Sequence, residues 1–505
     1  MGSNMRNNES RIDRLLFFAA SAAAIAVCIP LGLAPEKAGQ FVSALYDQIS
    51  TNFGVLYQLF GLGCIGFLLW LAFSPYGRIR LGQEDERPDY STFSWIGMLF
   101  CAGTGASLLV WSGVEWAYYI DSPPMGALPR SAEAIAWASA YGPFHWGITA
   151  WAFYALPTIA IAYPFYVKQV PHLRASTSLH AILGSSGENS SIGRIVDLAA
   201  MIALLGGAGT SLSVIAPTIA ASAAELLSIN TSFTLEFLMM VVCIGLFGAS
   251  VWLGIDRGIR RLSDLNVYLI LFLLVFILAV GPTLFLLKNS VNTLGFMAEN
   301  FVRMMTWTDP IEKTGFVEKW SIFYWAWWIT FALPVGVFVT RISRGRTIRQ
   351  VILGMLTFGS MGCWLFYFVL GNYSLSLELD GVMSVTDSLT KHGMYVTVEN
   401  IISTLPFGAG ALLLFILVSI ISVATTYDSA SYTLASTATA ELKVGENPAR
   451  WHRLYWALIL GLLPILMMYV GGLQVIRSGV LVASLPLLAV GVAMMISLLK
   501  SLRQH

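Results

Sequence analysis

The sequence predicts an all-α integral membrane protein with about twelve transmembrane helices. Three observations predict it. Of 505 residues, 56% are hydrophobic and 11% charged, with a mean hydropathy of +0.71, far from the usual mix of soluble domains. Apolar stretches of about 20 residues, enough to cross a hydrocarbon core of about 30 Å, recur along the whole chain. Basic residues gather in alternate connections, 21 of the 29 on one side, as Lys and Arg do in cytoplasmic loops. An even number of spans with both termini cytoplasmic, in a plasma (inner) membrane, satisfies this pattern.

The elements follow in order. Residues 1–14 form a cytoplasmic segment carrying Arg6, Arg11 and Arg14. Residues 15–92 hold two helices, near 15–33 and 53–74, and a basic loop. The first apolar stretch exceeds the usual core of a secretory signal and many spans follow it, so it is expected to be retained. Residues 93–287 hold five spans, near 93–120, 142–167, 195–226, 232–253 and 265–287. Residues 288–319 form an extracellular connection whose Val291 to Met305 pattern is amphipathic, as in a helix lying along the membrane surface. Residues 320–499 hold five more spans, near 320–340, 350–371, 402–436, 452–470 and 478–499, before a short cytoplasmic end at 500–505.

Two spans carry backbone-breaking residues. The third contains Ala102-Gly103-Thr104-Gly105-Ala106-Ser107, and the eighth contains Leu333-Pro334-Val335-Gly336. Polar backbone is tolerated at membrane depth only where protein or a cavity covers it, and interrupted helices at matching positions of two halves point to a transporter site. Both spans are therefore expected to be locally broken or flexible; close helix packing is the alternative use of the glycines.

Aromatic residues crowd two spans. Phe323 to Phe331 contains Trp325, Trp327, Trp328 and Tyr324, and a second cluster runs from His145-Trp146 through Trp151 to Tyr154. Electron-rich ring faces hold cations that have no N–H to donate, such as quaternary ammonium groups. If the two clusters meet in the fold, they form an aromatic box.

The tenth span carries Ser422, Thr425, Thr426 and Asp428 at a depth where polar groups are costly. Oxygen ligands suit a hard cation such as sodium; bonding of each hydroxyl to a preceding carbonyl is the alternative. Glu115 is a further carboxylate near membrane depth, either a partner for a hydroxyl or an ion-linked group. The basic loop Arg341 to Arg349 serves as an orientation anchor or as a gate contact.

Several function classes are excluded by the same residues. A net charge of +1 gives no reason to invoke nucleic acid. The five cysteines fall singly in apolar spans, without metal-type spacing. The six histidines are scattered, and nothing resembles a catalytic triad, so the chain is not expected to be an enzyme or to hold a cofactor.

The run Phe-Tyr-Trp-Ala-Trp-Trp at 323 to 328, the basic Arg-Ile-Ser-Arg-Gly-Arg at 341 to 346, and Phe144-His145-Trp146 with Trp151 resemble the betaine/choline/carnitine transporter family. The resemblance extends from about residue 50 to 495. It implies a LeuT-type inverted repeat of five plus five helices, helices 3 to 7 and 8 to 12, after two extra N-terminal helices, assembled as a homotrimer. It also implies substrates that are small quaternary ammonium or sulfonium compounds. By that resemblance Trp146, Trp151, Tyr154, Trp327, Trp328 and Tyr118 surround the onium group, while Trp325 packs elsewhere, since successive helical positions point about 100° apart. Backbone around Gly103, Gly105 and Ser107 would face a substrate carboxylate. Choline-preferring relatives carry an acid at the position of Ser107, so a zwitterion such as glycine betaine, carnitine or dimethylsulfoniopropionate is expected.

Sodium-independent exchangers of the family carry an arginine and a methionine at the positions of Asn266 and Val335, and this chain has neither. The resemblance therefore implies sodium symport, with Thr425, Thr426, Ser422 and the carbonyls of Cys101 and Thr104 as ligands. The threonines of a second sodium site align with Leu204 and Ala208, leaving Thr210 and Ser211 as weak replacements. Osmosensing members carry long charged terminal extensions; with about five residues after the last span, little osmotic activation is expected.

Overall fold

The computed structural model describes residues 12–103, 105–184, 187–253, 260–442, 446–470 and 473–504. Among them the regular structure is helical, without a β-strand; Ile12 with Thr439 and Arg80 with Thr347 form isolated bridges. The helices are α1 (Arg14–Leu33), α2 (Pro35–Phe73), α3 (Thr92–Gly103), α4 (Leu108–Asp121), α5 (Ala132–His145), α6 (Ile148–Tyr166), α7 (Ser191–Leu227) and α8 (Phe233–Leu253). Then come α9 (Arg260–Val280), α10 (Thr283–Thr306), α11 (Phe323–Ile342), α12 (Ile348–Leu379), α13 (Val385–Ser403), α14 (Gly408–Thr437), α15 (Arg450–Val470) and α16 (Leu473–Leu502). Eight of the described helical segments are long and apolar enough to cross a membrane. The pair α9 and α10, bent by 111° at Gly281-Pro282, adds a ninth if counted as one span. The protein is a multi-span, all-α membrane protein.

The amphipathic stretch expected around Val291 to Met305 is a helix that starts earlier, at Thr283. Leu284, Leu287, Val291, Leu294 and Val302 are exposed along it, while Leu286, Thr293, Met297 and Met304 are buried.

The expected break in the third span is present: α3 ends at Gly103 and α4 begins at Leu108. A second break, between α5 and α6, falls at Trp146-Gly147, where Gly147 adopts φ −95°, ψ −136°. A side chain at Gly147 would meet the Pro143 carbonyl and the Trp364 ring nitrogen, each at 2.6 Å. Trp364 Nε1 also donates to that carbonyl at 2.8 Å, so α12 seals the joint.

The expected break in the eighth span is absent, and α11 runs unbroken across Pro334. Proline removes one backbone donor, which neighbouring helices and hydroxyls make tolerable at membrane depth. Thr330 Oγ1 donates to the Trp327 carbonyl at 2.7 Å and Thr340 Oγ1 to the Thr158 carbonyl of α6 at 3.2 Å. Gly336 has a packing role instead, since a Cβ there would lie 3.2 to 3.3 Å from Thr158 N and the Pro157 ring. On the opposite side a Cβ on Gly207 of α7 would strike Thr330 Oγ1. Close approach of backbone through small residues clamps α11 between α6 and α7.

The basic loop after α11 docks on the connection between α2 and α3. Arg346 lies 4.2 Å over the Trp95 ring and donates to the Tyr90 carbonyl, Arg344 pairs with Glu86, and Arg349 donates to the Ala72 carbonyl. Gly345 turns with φ +76° against the Arg87 carbonyl, where a Cβ would come within 2.5 Å, so only glycine fits this approach.

Candidate functional site

Helical spacing sorts the aromatic run of α11 into two faces. Tyr324, Trp327 and Trp328, at i, i+3 and i+4, share one face. Trp327 and Trp328 stack at 5.1 Å with planes 8° apart, and Tyr324 stacks on Trp328 at 5.6 Å. Trp325 points the other way, against Phe144, His145 and Phe153 at 5.6 to 5.8 Å. It is a packing residue.

The second cluster meets the first face. Trp146, held at the end of α5, stands edge-on to Trp328 at 4.5 Å and to Trp327 at 5.9 Å. Trp328 Nε1 donates to the His145 carbonyl at 2.8 Å, and Trp327 Nε1 to the Gly207 carbonyl at 3.3 Å. Tyr154 on α6 approaches Trp328 at 6.3 Å, and Trp151 stands one ring behind it at 5.6 Å. All five rings are buried. Trp151 is set by α12, because a Cβ on Gly359 would lie 2.3 Å from its indole.

Tyr118 does not join this set. It packs on Trp320 at 5.2 Å and Trp111 at 6.4 Å, and those two reach the box through Tyr324, at 6.5 and 6.1 Å. It stands outside the ring set, separated from it by Trp320 and Trp111.

Two rings absent from the sequence reading of the site belong to it. Tyr324, in the middle of the run, also faces Trp146 at 5.9 Å. Its i, i+4 spacing to Trp328 was a usable signal. Tyr367 lies 6.5 Å from Trp146 in a π-helical turn, Tyr367–Gly371. No local pattern marks it, though such turns gather at functional sites. Two more π-helical segments border the box, Val317–Ile322 directly before α11 and Met355–Gly359.

Beneath the box lies a buried polar cluster. The Glu115 carboxylate accepts the hydroxyls of Tyr119 and Tyr367 and lies 3.4 Å from His145 Nδ1. His145 Nε2 is 3.0 Å from Ser321 Oγ, and its ring stacks on Tyr324 at 4.7 Å. Glu115, His145 and Ser321 are buried.

At the start of α4, Ser107 is buried and its side chain makes no capping bond. A Cβ on Gly105 would meet nothing closer than Ser107 Oγ at 4.0 Å. The first backbone N–H groups of α4 are engaged within the turn, Leu108 N donating to the Gly105 carbonyl at 2.9 Å, Leu109 N to the Ala106 carbonyl at 3.3 Å and Val110 N to the Ser107 carbonyl at 3.1 Å. Thr104 lies outside the described residues, as do the side chains of Cys101 and Gly103.

Of the three hydroxyls of α14 named as ligands, one is engaged within the helix and one on α9. Thr425 Oγ1 donates to the Ser422 carbonyl at 3.0 Å, and Ser422 Oγ is 3.0 Å from Asn266 Nδ2 and 3.3 Å from Asn266 Oδ1. Thr426 is half-buried, and no hydrogen bond of its hydroxyl occurs among the described residues. The Asp428 carboxylate pairs with Arg453 at 2.9 Å, both buried, and so is committed to an ion pair. Of the weak replacements for a second site, Thr210 donates to the Gly206 carbonyl at 3.1 Å, and Ser211 is buried on α7. Among the described residues no three His, Cys, Asp or Glu side chains gather as metal ligands.

Residues 15–505 match the family model described as BCCT, betaine/carnitine/choline family transporter. The chain is 36% identical over 427 residues to the uncharacterized transporter YeaV of Escherichia coli, covering 84% of this chain and 88% of that protein. It is 35% identical over 451 residues to a carnitine transporter of Acinetobacter baumannii, covering 89% and 82%. With a match over nearly its whole length, the chain belongs to the betaine/carnitine/choline transporter family.

Proposed function

We propose that this protein is a secondary active transporter of small zwitterionic onium compounds, of the glycine betaine, carnitine or dimethylsulfoniopropionate type, working by sodium-coupled symport. The observation that carries the reading is the ring set around Trp328, with Trp146, Trp327, Tyr324 and Tyr154 at 4.5 to 6.3 Å. Such faces attract an onium group by roughly 0.5 to 2 kcal/mol per ring. The relative named as a carnitine transporter supports the same class. Trp146 and Trp328 touch, so a trimethylammonium group must part them to enter, and the Trp146-Gly147 joint lies where that movement is needed. The uncharged Ser107 before α4, which offers choline no counter-charge, favours a zwitterion over choline.

Two five-helix repeats, 93–287 and 320–499, would supply alternating access in a homotrimer of the inner membrane with cytoplasmic termini. Sodium would be held by Thr425, Thr426 and Ser422 with carbonyls of Cys101 and Thr104. The bonds already made by Thr425 within α14 and by Ser422 to Asn266 of α9 favour a second reading, sodium-independent exchange of the same substrates.

Purified protein in liposomes separates the two. Symport requires that an inward sodium gradient drive accumulation of labelled glycine betaine or carnitine. Counterflow without sodium, unaffected by a gradient, refutes symport in favour of exchange. Uptake of choline in preference to every zwitterion refutes the substrate assignment.

A further inference from the structure

Two carbonyls at the joint between α5 and α6 accept indole N–H groups from other helices. In a continuous helix the Pro143 carbonyl would accept the N–H of Gly147. Gly147 N instead reaches the Phe144 carbonyl at 3.4 Å, and Trp364 Nε1 of α12 donates to Pro143 in its place at 2.8 Å. Two residues on, the His145 carbonyl accepts Trp328 Nε1 of α11 at 2.8 Å. Trp146 follows directly. It is buried, and its own indole N–H makes no hydrogen bond among the described residues. Its direction therefore comes from the backbone that carries it and from the rings that press on it, Trp328 at 4.5 Å, Trp327 and Tyr324 at 5.9 Å and Tyr367 at 6.5 Å.

Along this joint α12 runs as a splint. Gly142 receives the Tyr367 ring, Gly147 the Trp364 indole, and Gly359 receives Trp151, so positions rise on one side as they fall on the other. A Cβ at any of the three glycines would lie 2.3 to 2.6 Å from the ring it faces. The outer two are ring-on-glycine contacts; the middle one adds a hydrogen bond, on the backbone that brackets Trp146. Trp364 itself is half-buried, and among the described residues its ring neighbour is Phe368 at 6.4 Å, with none of the box rings against it.

We propose that Trp364 is a positioning residue for onium recognition: by holding the Pro143 carbonyl at the break, it fixes the backbone that aims Trp146 at Trp328. The inference rests on the onium reading of the box. A carbonyl left without a partner at membrane depth is costly, so without the indole N–H the joint shifts toward another donor, and Gly147 has no side chain to resist the shift. Trp146 then no longer stands ready against Trp328 before the cation arrives. A box whose wall must first be brought into position binds more weakly by the free energy of doing so. Loss of one such hydrogen bond corresponds to about fivefold in Kd.

Equilibrium binding of labelled glycine betaine and carnitine to the purified full-length protein tests this. Trp364→Phe keeps a ring and loses the N–H; it is expected to raise Kd about fivefold for both compounds. In a Trp146→Leu background, with no indole left to aim, the same substitution should change Kd by less than about twofold, whereas in a Trp151→Leu background it should still cost about fivefold. A purely structural role would give one factor in all three backgrounds. Trp364→His, which keeps a ring N–H, should recover part of the affinity lost in Trp364→Phe. If Trp364→Phe fails to fold, Gly147→Ala decides the matter, because its methyl meets both the Pro143 oxygen and Trp364 Nε1 at 2.6 Å and should weaken binding with the same dependence on Trp146. An unchanged Kd in Trp364→Phe, or an equal loss with and without the Trp146 indole, overturns the positioning role and leaves the onium site standing. A wild type that binds none of betaine, carnitine and choline overturns the onium reading and the positioning role with it.

Discussion

Replacing Trp328 by leucine tests the box at its centre. Trp328 is 5% exposed, stacks on Trp327 and Tyr324, meets Trp146 edge-on, and donates to the His145 carbonyl. Losing one desolvated ring removes roughly 0.5 to 2 kcal/mol of cation attraction, which is about a two- to thirtyfold rise in Kd. The smaller side chain also leaves a void of about 60 Å³, costing about 1.5 kcal/mol of stability at about 24 cal/mol per Å³. Loss of the indole hydrogen bond adds about 1 kcal/mol. Stability and affinity therefore both fall, and a control is needed to separate them. Trp325→Leu provides it, because Trp325 is equally buried but faces Phe144 and Phe153. Equilibrium binding of betaine, carnitine and choline, paired with thermal melting, should show both variants destabilised and only Trp328→Leu weakened, for every onium compound. Equal losses of affinity in the two variants, or an unchanged Kd in Trp328→Leu, would refute the assignment of faces.

Other substitutions test the neighbourhood. Gly359→Ala places a methyl 2.3 Å from the Trp151 indole; it should cost about 1 to 3 kcal/mol by overpacking and weaken betaine binding, seen as a lower melting temperature with a higher Kd. Thr426→Ala should raise the sodium concentration needed for half-maximal uptake more than it raises the substrate Kd; equal small changes in both would count against Thr426 as a sodium ligand. Arg174→Ala leaves Asp197 buried without the guanidinium 3.2 Å away, and Ser176 alone cannot neutralise that charge. Breaking such a pair costs about 3 to 5 kcal/mol, so the purified variant should melt well below the wild type, while Arg174→Ala with Asp197→Asn should recover part of the loss.

What could be read from the sequence depended on how local its cause was. Membrane spans arise from runs of apolar residues, and the predicted stretches coincide closely with helices such as α7, α8 and α14. The break before Leu108 was legible because glycine and polar residues concentrate in one place. Pro334 with Gly336 gave the same signal and had a different outcome, because α6 and α7 press on α11 from both sides. The joint at Trp146-Gly147 was missed although Pro143 and Gly147 flank it, since its decisive partner, Trp364, comes from more than two hundred residues later. Ring chemistry marks the two aromatic clusters and the family resemblance singles out Trp327, Trp328, Trp146 and Tyr154 within them, whereas Tyr367 reaches the site through a π-helical turn of α12 that has no period of its own. The carboxylate of Asp428 looked available at membrane depth only because Arg453, its partner from the next helix, was out of view.

The glycines explain why the box has so little slack. Gly207 receives Thr330 and lets Trp327 donate to its carbonyl, Gly142 receives the Tyr367 ring, and Gly359 receives Trp151. Each ring is thus positioned by backbone on a helix other than its own. Trp328 is tied to α5 through the His145 carbonyl, so on the proposed reading a cation entering between Trp146 and Trp328 would have to break that bond or carry α5 with it. The helices α5 and α6 meet at the Gly147 joint, which α12 seals through Trp364, and on the proposed reading separation would move them. If the proposed onium reading holds, recognition of the onium group and movement of the bundle would be one event, and a methyl added at Gly359 or Gly142 should disturb both together. If either variant keeps normal transport rates while losing affinity, the rings move independently of the helices and the coupling drawn here is wrong.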